Sequence, residues 1–350
     1  MGRIRQTLSV IFLVFLLCGL SLGATNSKLA KSLFDRGLKA EESGDTDNAI
    51  LLYTKAIGID PNFWEAFYNR GNVYLKLERY AEAVSDFTKA LQLNPGNEEI
   101  YNNRGYAFKQ LGNYRAALGD FNAALDKSPE SVNILLNRAA TYEEMGDMAA
   151  ALKDYSNVTD LDPENAKAYL SKGYIEAKEG QINNAIRDLT EAISLNPVFL
   201  EAYVQRAALL EKIGRLTEAL SDYSRAMDID PENKTAHFNT GVILTRLGQY
   251  KEAVEHFAKV IELDSEDQRA YVGRGYCLAA MGRHRDAIVD FTTAIELDPN
   301  DADAYLDRGT SYRRIGNNRG FIDDYRRAAA LGSAKAKAYL RSKGIGWKIQ

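Results

Sequence analysis

The sequence predicts an all-α fold: a solenoid of nine helix-turn-helix units followed by a C-terminal capping helix. Three observations predict it. The chain repeats every 34 residues without insertion or deletion. Gly37, Gly71, Gly105, Gly173, Gly241, Gly275 and Gly309 share one register, and Ala139 and Ala207 fill its two gaps. Twelve residues after each of these comes an alanine, from Ala49 and Ala83 to Ala287, and only the ninth unit departs, with Phe321. Prolines keep the same phase at Pro61, Pro95, Pro129, Pro163, Pro197, Pro231 and Pro299. A fixed period of this length marks stacked repeats, each burying its apolar face on its neighbours. Such a stack offers a long accessible surface rather than an enclosed pocket.

The N-terminal segment, residues 1–23, stands apart from the repeats. Arg3 and Arg5 precede an apolar run from Leu8 to Leu20, and small residues follow at Ser21 and Gly23. Basic, apolar, then small is the order of a secretory signal peptide. The run of about 13 residues is short against the roughly 17–25 of a membrane span. Extended over residues 8–24 it reaches that length, so an uncleaved anchor, with membrane attachment through this segment, stays open beside cleavage. Either reading places the rest outside the cytoplasm, in a periplasm or extracellular space. Without the segment Cys277 is the last cysteine, expected inside a helix pair as a small apolar residue.

The repeats follow as 30–63, 64–97, 98–131, 132–165, 166–199, 200–233, 234–267, 268–301 and 302–333. Numbering each unit from 1 to 34, position 4 is large (Phe67, Tyr101, Tyr203) and position 24 mostly aromatic (Tyr53, Phe87, Phe121, Tyr223), with Leu189 the exception. Small residues at 8 and 20 let two amphipathic helices approach, and the large ones fill the space beside them. Glycine near position 15 closes the first helix at Gly44, Gly112 and six further units. Proline at 32 ends the second. Asn97, Ser131, Asn165, Asn233, Asp267 and Asp301 at position 34 are expected N-caps. Residues 334–350 supply a capping helix, with Ala336, Ala338, Tyr339 and Leu340 to cover the exposed end, and a basic tail.

This pattern resembles the tetratricopeptide repeat family over Ala30 to about Ser333. It departs from that family at position 7, where leucine is usual. The resemblance implies a right-handed superhelix whose first helices line an inner groove, and a protein that binds peptide or protein partners.

Position 7 is basic in eight units, including Arg70, Arg104, Arg138, Lys172, Arg206, Arg274 and Arg308. Position 23 carries Asp86, Asp120, Asp154, Asp188, Asp222, Asp290 and Asp324. Unit seven has Thr240 and His256 instead, so both charges vanish together; unit one breaks the rule with Arg36 and Leu52. Joint loss is what structural ion pairs predict, because one partner left buried alone costs about 3–5 kcal/mol. A row of arginines facing an anionic ligand is the alternative.

Position 6 is expected to face the groove. It reads Asp35, Asn69, Asn103, Asn137, Ser171, Gln205, Asn239, Gly273 and Asp307. Position 5 beside it is mostly apolar, with Asn102 the exception, and position 9 adds Asn72, Tyr106, Tyr174 and Tyr276. An amide donates and accepts hydrogen bonds, so the stripe suits the backbone of an extended peptide. A merely solvated polar surface is the competing reading. Some relatives grip a C-terminal carboxylate with a basic clamp. Asn72 and Asn103 match two of its places, but Tyr68, Asn133 and Asn137 stand where basic residues are required, so chaperone tails of that kind are not expected.

Residues 308–350 hold eleven basic side chains and two acids, a net +9, on a chain of formal charge −4. That end suits an acidic partner or anionic head groups, or serves as a solubilising cap. The overall charge argues against broad nucleic-acid binding. His237, His256 and His284 are the only histidines. The first two occupy packing positions, and His284 is expected in an inter-helix turn. No metal-ligand spacing, cofactor loop or nucleophile motif appears, so neither catalysis nor a cofactor is expected. Two function classes remain: a noncatalytic adaptor that holds segments in the groove, and a cell-envelope assembly or tethering factor working through its ends and convex face.

Overall fold

A computed structural model describes residues 25–347, and these residues form nineteen helices and no strand. The first helix, α1, covers residues 25–42. Then come α2 (Thr46–Ile59), α3 (Trp64–Lys76), α4 (Tyr80–Leu93), α5 (Glu98–Gln110), α6 (Tyr114–Leu125), α7 (Val132–Met145), α8 (Met148–Leu161) and α9 (Ala166–Lys178). The rest are α10 (Ile182–Leu195), α11 (Leu200–Lys212), α12 (Leu216–Ile229), α13 (Lys234–Arg246), α14 (Tyr250–Leu263), α15 (Gln268–Ala280), α16 (His284–Leu297), α17 (Ala302–Arg314), α18 (Asn318–Ala330) and α19 (Ala334–Ser342). From α3 onward the first helix of each repeat starts at the residue the 34-residue phase assigns, from Trp64 to Ala302. The chain forms two compact units, one up to Ser171 and one from Lys172. Within each, helices pack as antiparallel pairs.

Close approach explains the periodic glycines. A Cβ on Gly71 would lie 2.7 Å from Phe87 Cε1, and one on Gly105 2.8 Å from Phe121 Cε1. The position-24 ring therefore lies flat over bare backbone, and Phe87 and Phe121 are fully buried. Burying each such ring contributes about 1.5–3 kcal/mol. Gly273 answers to the same constraint from the next repeat, since its Cβ would lie 2.6 Å from Phe257. It is a packing residue and not part of a polar stripe.

Where position 24 is tyrosine, its hydroxyl needs a partner. Tyr53 donates to Glu41 Oε2 at 3.0 Å and Tyr155 to Glu143 Oε2 at 3.1 Å, both glutamates at position 12 of the same repeat. Tyr223 instead accepts from Asn239 Nδ2 at 2.9 Å.

The turns inside repeats use glycine with positive φ, for example 72° at Gly112 and 82° at Gly146. Repeat two places Glu78 there at φ 57°, a conformation unfavourable to a side chain. Between repeats, Asn97, Asn165, Asn233 and Asp301 cap the next helix through their side chains. Ser131 and Asp267 make no such bond. Asp267 is drawn away by Arg269, at 3.0 Å. His284 is the first residue of α16 rather than a turn residue.

At the C-terminal end, α19 buries Ala336 and Leu340 against Phe321 and Tyr325, and Ile345 and Trp347 pack half-buried on this cluster. Lys335, Lys337 and Arg341 project from α19, which carries no acid. No helix of the described residues is long and apolar enough to cross a membrane. The signal or anchor segment, residues 1–23, and the last three residues of the tail lie outside the described residues.

Candidate functional site

The position-7 cations lie against the position-23 carboxylates of their own repeat. Arg70 donates through Nε and Nη2 to the two oxygens of Asp86, both at 2.7 Å. The same fork joins Arg104 to Asp120, Arg138 to Asp154, Arg206 to Asp222, Arg274 to Asp290 and Arg308 to Asp324, at 2.7–2.9 Å. Lys172 reaches Asp188 at 3.2 Å. The aspartates are buried, so each fork is a largely desolvated pair held by two charge-assisted bonds. These guanidiniums are committed to the fold.

A second contact was not legible in the sequence. The free Nη1 of several arginines donates to position 25 of the preceding repeat: Arg70 to Thr54, Arg104 to Thr88, Arg138 to Asn122, Arg206 to Thr190 and Arg308 to Thr292. The clamp thus ties three helices and sets one repeat against the next.

The position-6 amides are also engaged. Asn69 turns back to donate to Glu65 O in its own helix at 2.8 Å. Asn137 donates to Asn102 at 3.0 Å, Asn102 to Asn103 at 3.3 Å and Asn103 to Asn72 at 2.9 Å. These four form one hydrogen-bonded chain across repeats two to four. Asn102, the exception in the apolar row, is its central link. Asn103 also approaches Tyr68 Oη, which donates to Glu99 at 3.1 Å. Burial is the main cause that pushes the Tyr68 phenol above its ordinary pKa, so it remains a hydroxyl.

The middle of this chain, Asn102 and Asn103, lines a cleft of about 710 Å³ in the first unit. Tyr68, Asn102, Asn103, Asn133 and Ile134 line it, with Glu98, Glu99 and Glu130 at its rim and no cation among the lining residues. Of the expected groove residues the cleft takes in Asn103 and leaves out Asn69, Asn72 and Asn137, whose amides are turned to other partners. The glutamates sit at the helix starts and the inter-repeat turn, away from position 6. In the second unit, Asn239 is bonded to Tyr223 and Gln205 is half-buried. Tyr106 and Tyr174 lie under Lys109 and Lys178, at 5.5 and 4.5 Å, and Tyr276 is exposed. The cleft takes in none of these.

Sequence comparison matches the tetratricopeptide repeat at residues 64–97, 102–166, 166–199, 198–266, 269–301 and 291–320, and the TPR repeat at residues 42–78. The chain belongs to the tetratricopeptide repeat family, a class of protein-interaction scaffolds. Among solved structures it is similar to YrrB, described as a TPR protein with an unusual peptide-binding site. The identity is 21% and the TM-score 0.51, over 55% of this chain and 100% of YrrB. It is also similar to MamA, at 24% identity and TM-score 0.47 over 50% of this chain and 96% of that one. A MamA structure from Desulfovibrio magneticus RS-1 gives 21% and 0.46, over 47% and 94%. At these identities the YrrB likeness shows the fold alone. No curated protein sequence matches the chain.

Proposed function

We propose that the protein is a noncatalytic scaffold that captures an extended peptide or protein segment in the cleft of its first unit. The observation that carries this is the bonded pair Asn102–Asn103 in the cleft lining, held from outside it by Asn72 and Asn137. Each amide already bonded to its neighbour is fixed in place, so little side-chain entropy is lost when a partner binds. Each still has donor or acceptor capacity for a passing backbone. Tyr68 and Ile134 offer apolar contact beside it. The three rim carboxylates, with no cation among the lining residues, favour a segment bearing lysine or arginine. YrrB, a repeat protein of like fold, is described as having a peptide-binding site, which fits this reading.

An array of short peptides graded in charge tests it. Lysine- and arginine-bearing peptides should bind the full chain, and Glu98→Lys with Glu130→Lys should weaken them about tenfold without changing thermal stability. Binding indifferent to both substitutions would reject the cleft. The reading also sets the scaffold outside the cytoplasm, free after loss of residues 1–23 or anchored through residues 8–24. The intact mass of the protein recovered from its source decides between those two.

A further inference from the structure

Among the described residues of the second unit, repeat seven alone lacks the cation–aspartate clamp. Thr240 stands in the arginine's place, and its buried Oγ1 has no partner. His256 stands in the aspartate's place and is bonded to His237, with the two Nδ1 atoms 3.0 Å apart. His237 Nε2 lies 3.1 Å from Pro231 O. A carbonyl only accepts, so this nitrogen carries the proton. His237 Nδ1 is then the acceptor and His256 Nδ1–H the donor. The inter-repeat struts fail here too. Ser224 at position 25 of repeat six precedes a repeat without the arginine, and position 25 before Arg274 of repeat eight is Ala258, which has no hydroxyl. Between α13 and α14 the imidazole pair therefore stands where repeats two, three, four, six and nine have a fork and a strut.

We propose that the His237–His256 pair makes repeat seven an acid-sensitive joint, in which α13 parts from α14 once both imidazoles are protonated. Two facing Nδ1 atoms at this distance share one proton; a second sets N–H against N–H and brings two positive charges together. The charged groups on the packed elements are engaged elsewhere. On α12 and its turn, Asp222 holds Arg206, Arg225 holds Asp228, and Asp230 accepts from Glu232 N and Asn233. Lys234 of α13 bridges Asp264 and Asp267 in the turn after α14. On α15, Arg269 holds Asp267 and Arg274 holds Asp290. On α14, Lys259 holds Glu262, which leaves exposed Glu255 as the nearby charge that favours protonation.

Burial first, and the charge of His237 second, lower the affinity of His256 for a proton in the folded chain. The unfolded chain binds that proton more readily. The pair's stabilisation is therefore present above the ordinary histidine value near 6.5 and is lost as pH falls below it. Glu176 on α9 and Asp307 on α17, each raised to about 6 chiefly by burial, also titrate in the acid range, so the joint is recognised by where protection is lost, in α13 and α14.

Hydrogen exchange on the full chain at pH 7.5 and 5.0, corrected for intrinsic rates, tests this. Protection in α13 and α14 should be lost at pH 5.0 relative to α5 and α6, whose helices are joined by the Arg104–Asp120 fork. Thr240→Arg with His256→Asp installs the clamp of the other repeats and should abolish the difference. His237→Phe, an aromatic as position 4 tolerates elsewhere, should shrink it and keeps the test open where the clamp variant does not fold. Equal protection in α13–α14 and α5–α6 at both pH values, or an acid loss undiminished in the folded variants, would overturn the joint.

Discussion

Repeats three and seven have the same length, the same helix starts and the same ring laid over glycine, yet their two helices are tied differently. In repeat three Arg104 grips both oxygens of Asp120 and reaches back to Thr88. In repeat seven a pair of imidazoles does the tying, and Thr240 Oγ1 is buried unpaired. The backbone is nevertheless the same helix pair in both. The difference separates two jobs: glycine and ring set how close the helices lie, and the polar tie decides how firmly, and over what pH range, they stay there.

The comparison breaks most readily at the clamp. Arg104→Ala should cost about 3–5 kcal/mol by leaving Asp120 buried and unpaired, and Asp120→Ala a similar amount. The double variant should lose much less than the sum, as read from denaturant titrations of all four chains. Additive losses would show that the pair contributes no coupling. The corresponding change in repeat seven, at Thr240, removes no such partner.

A second, smaller test addresses the shared element. Gly105→Ala would press a methyl within 2.8 Å of Phe121 and should cost about 1–3 kcal/mol. Gly241→Ala meets Phe257 at 3.0 Å and should cost less. Equal melting temperatures for Gly105→Ala and the parent would show that the ring moves freely, contrary to the packing described.

The smallest effect sharpens the contrast by improving repeat seven. Thr240→Val removes a buried hydroxyl that has no partner and keeps its shape. Stability should rise by about 1 kcal/mol, seen as a higher denaturation midpoint. A fall would mean that the hydroxyl is satisfied in solution.

The period, the glycine register and the joint disappearance of charge in repeat seven were all legible in the sequence, because each repeats in fixed phase. What replaced the lost pair was not. His237 and His256 lie 19 residues apart across a turn, and each reads as an isolated packing residue until the helices are brought together. The asparagine chain escaped for a related reason. Asn102 is out of pattern in its own column, and its role appears only from Asn103 and Asn137 on either side. Asp267 looked like a cap by type and place, but Arg269 two residues on claims its carboxylate. Side chains with a choice of partners are decided by neighbours that periodicity does not reveal.

The backward reach of Arg104 to Thr88 has a consequence for rearranging the molecule. A module with the full clamp holds both charges itself but borrows one acceptor from whichever module precedes it, so the modules are not freely interchangeable. A shuffled chain that set repeat eight behind repeat three would offer Arg274 the amide of Asn122 in place of Ala258. It would gain a junction bond that the natural order lacks. Reordering alone, with no residue altered, can therefore stiffen or weaken particular seams.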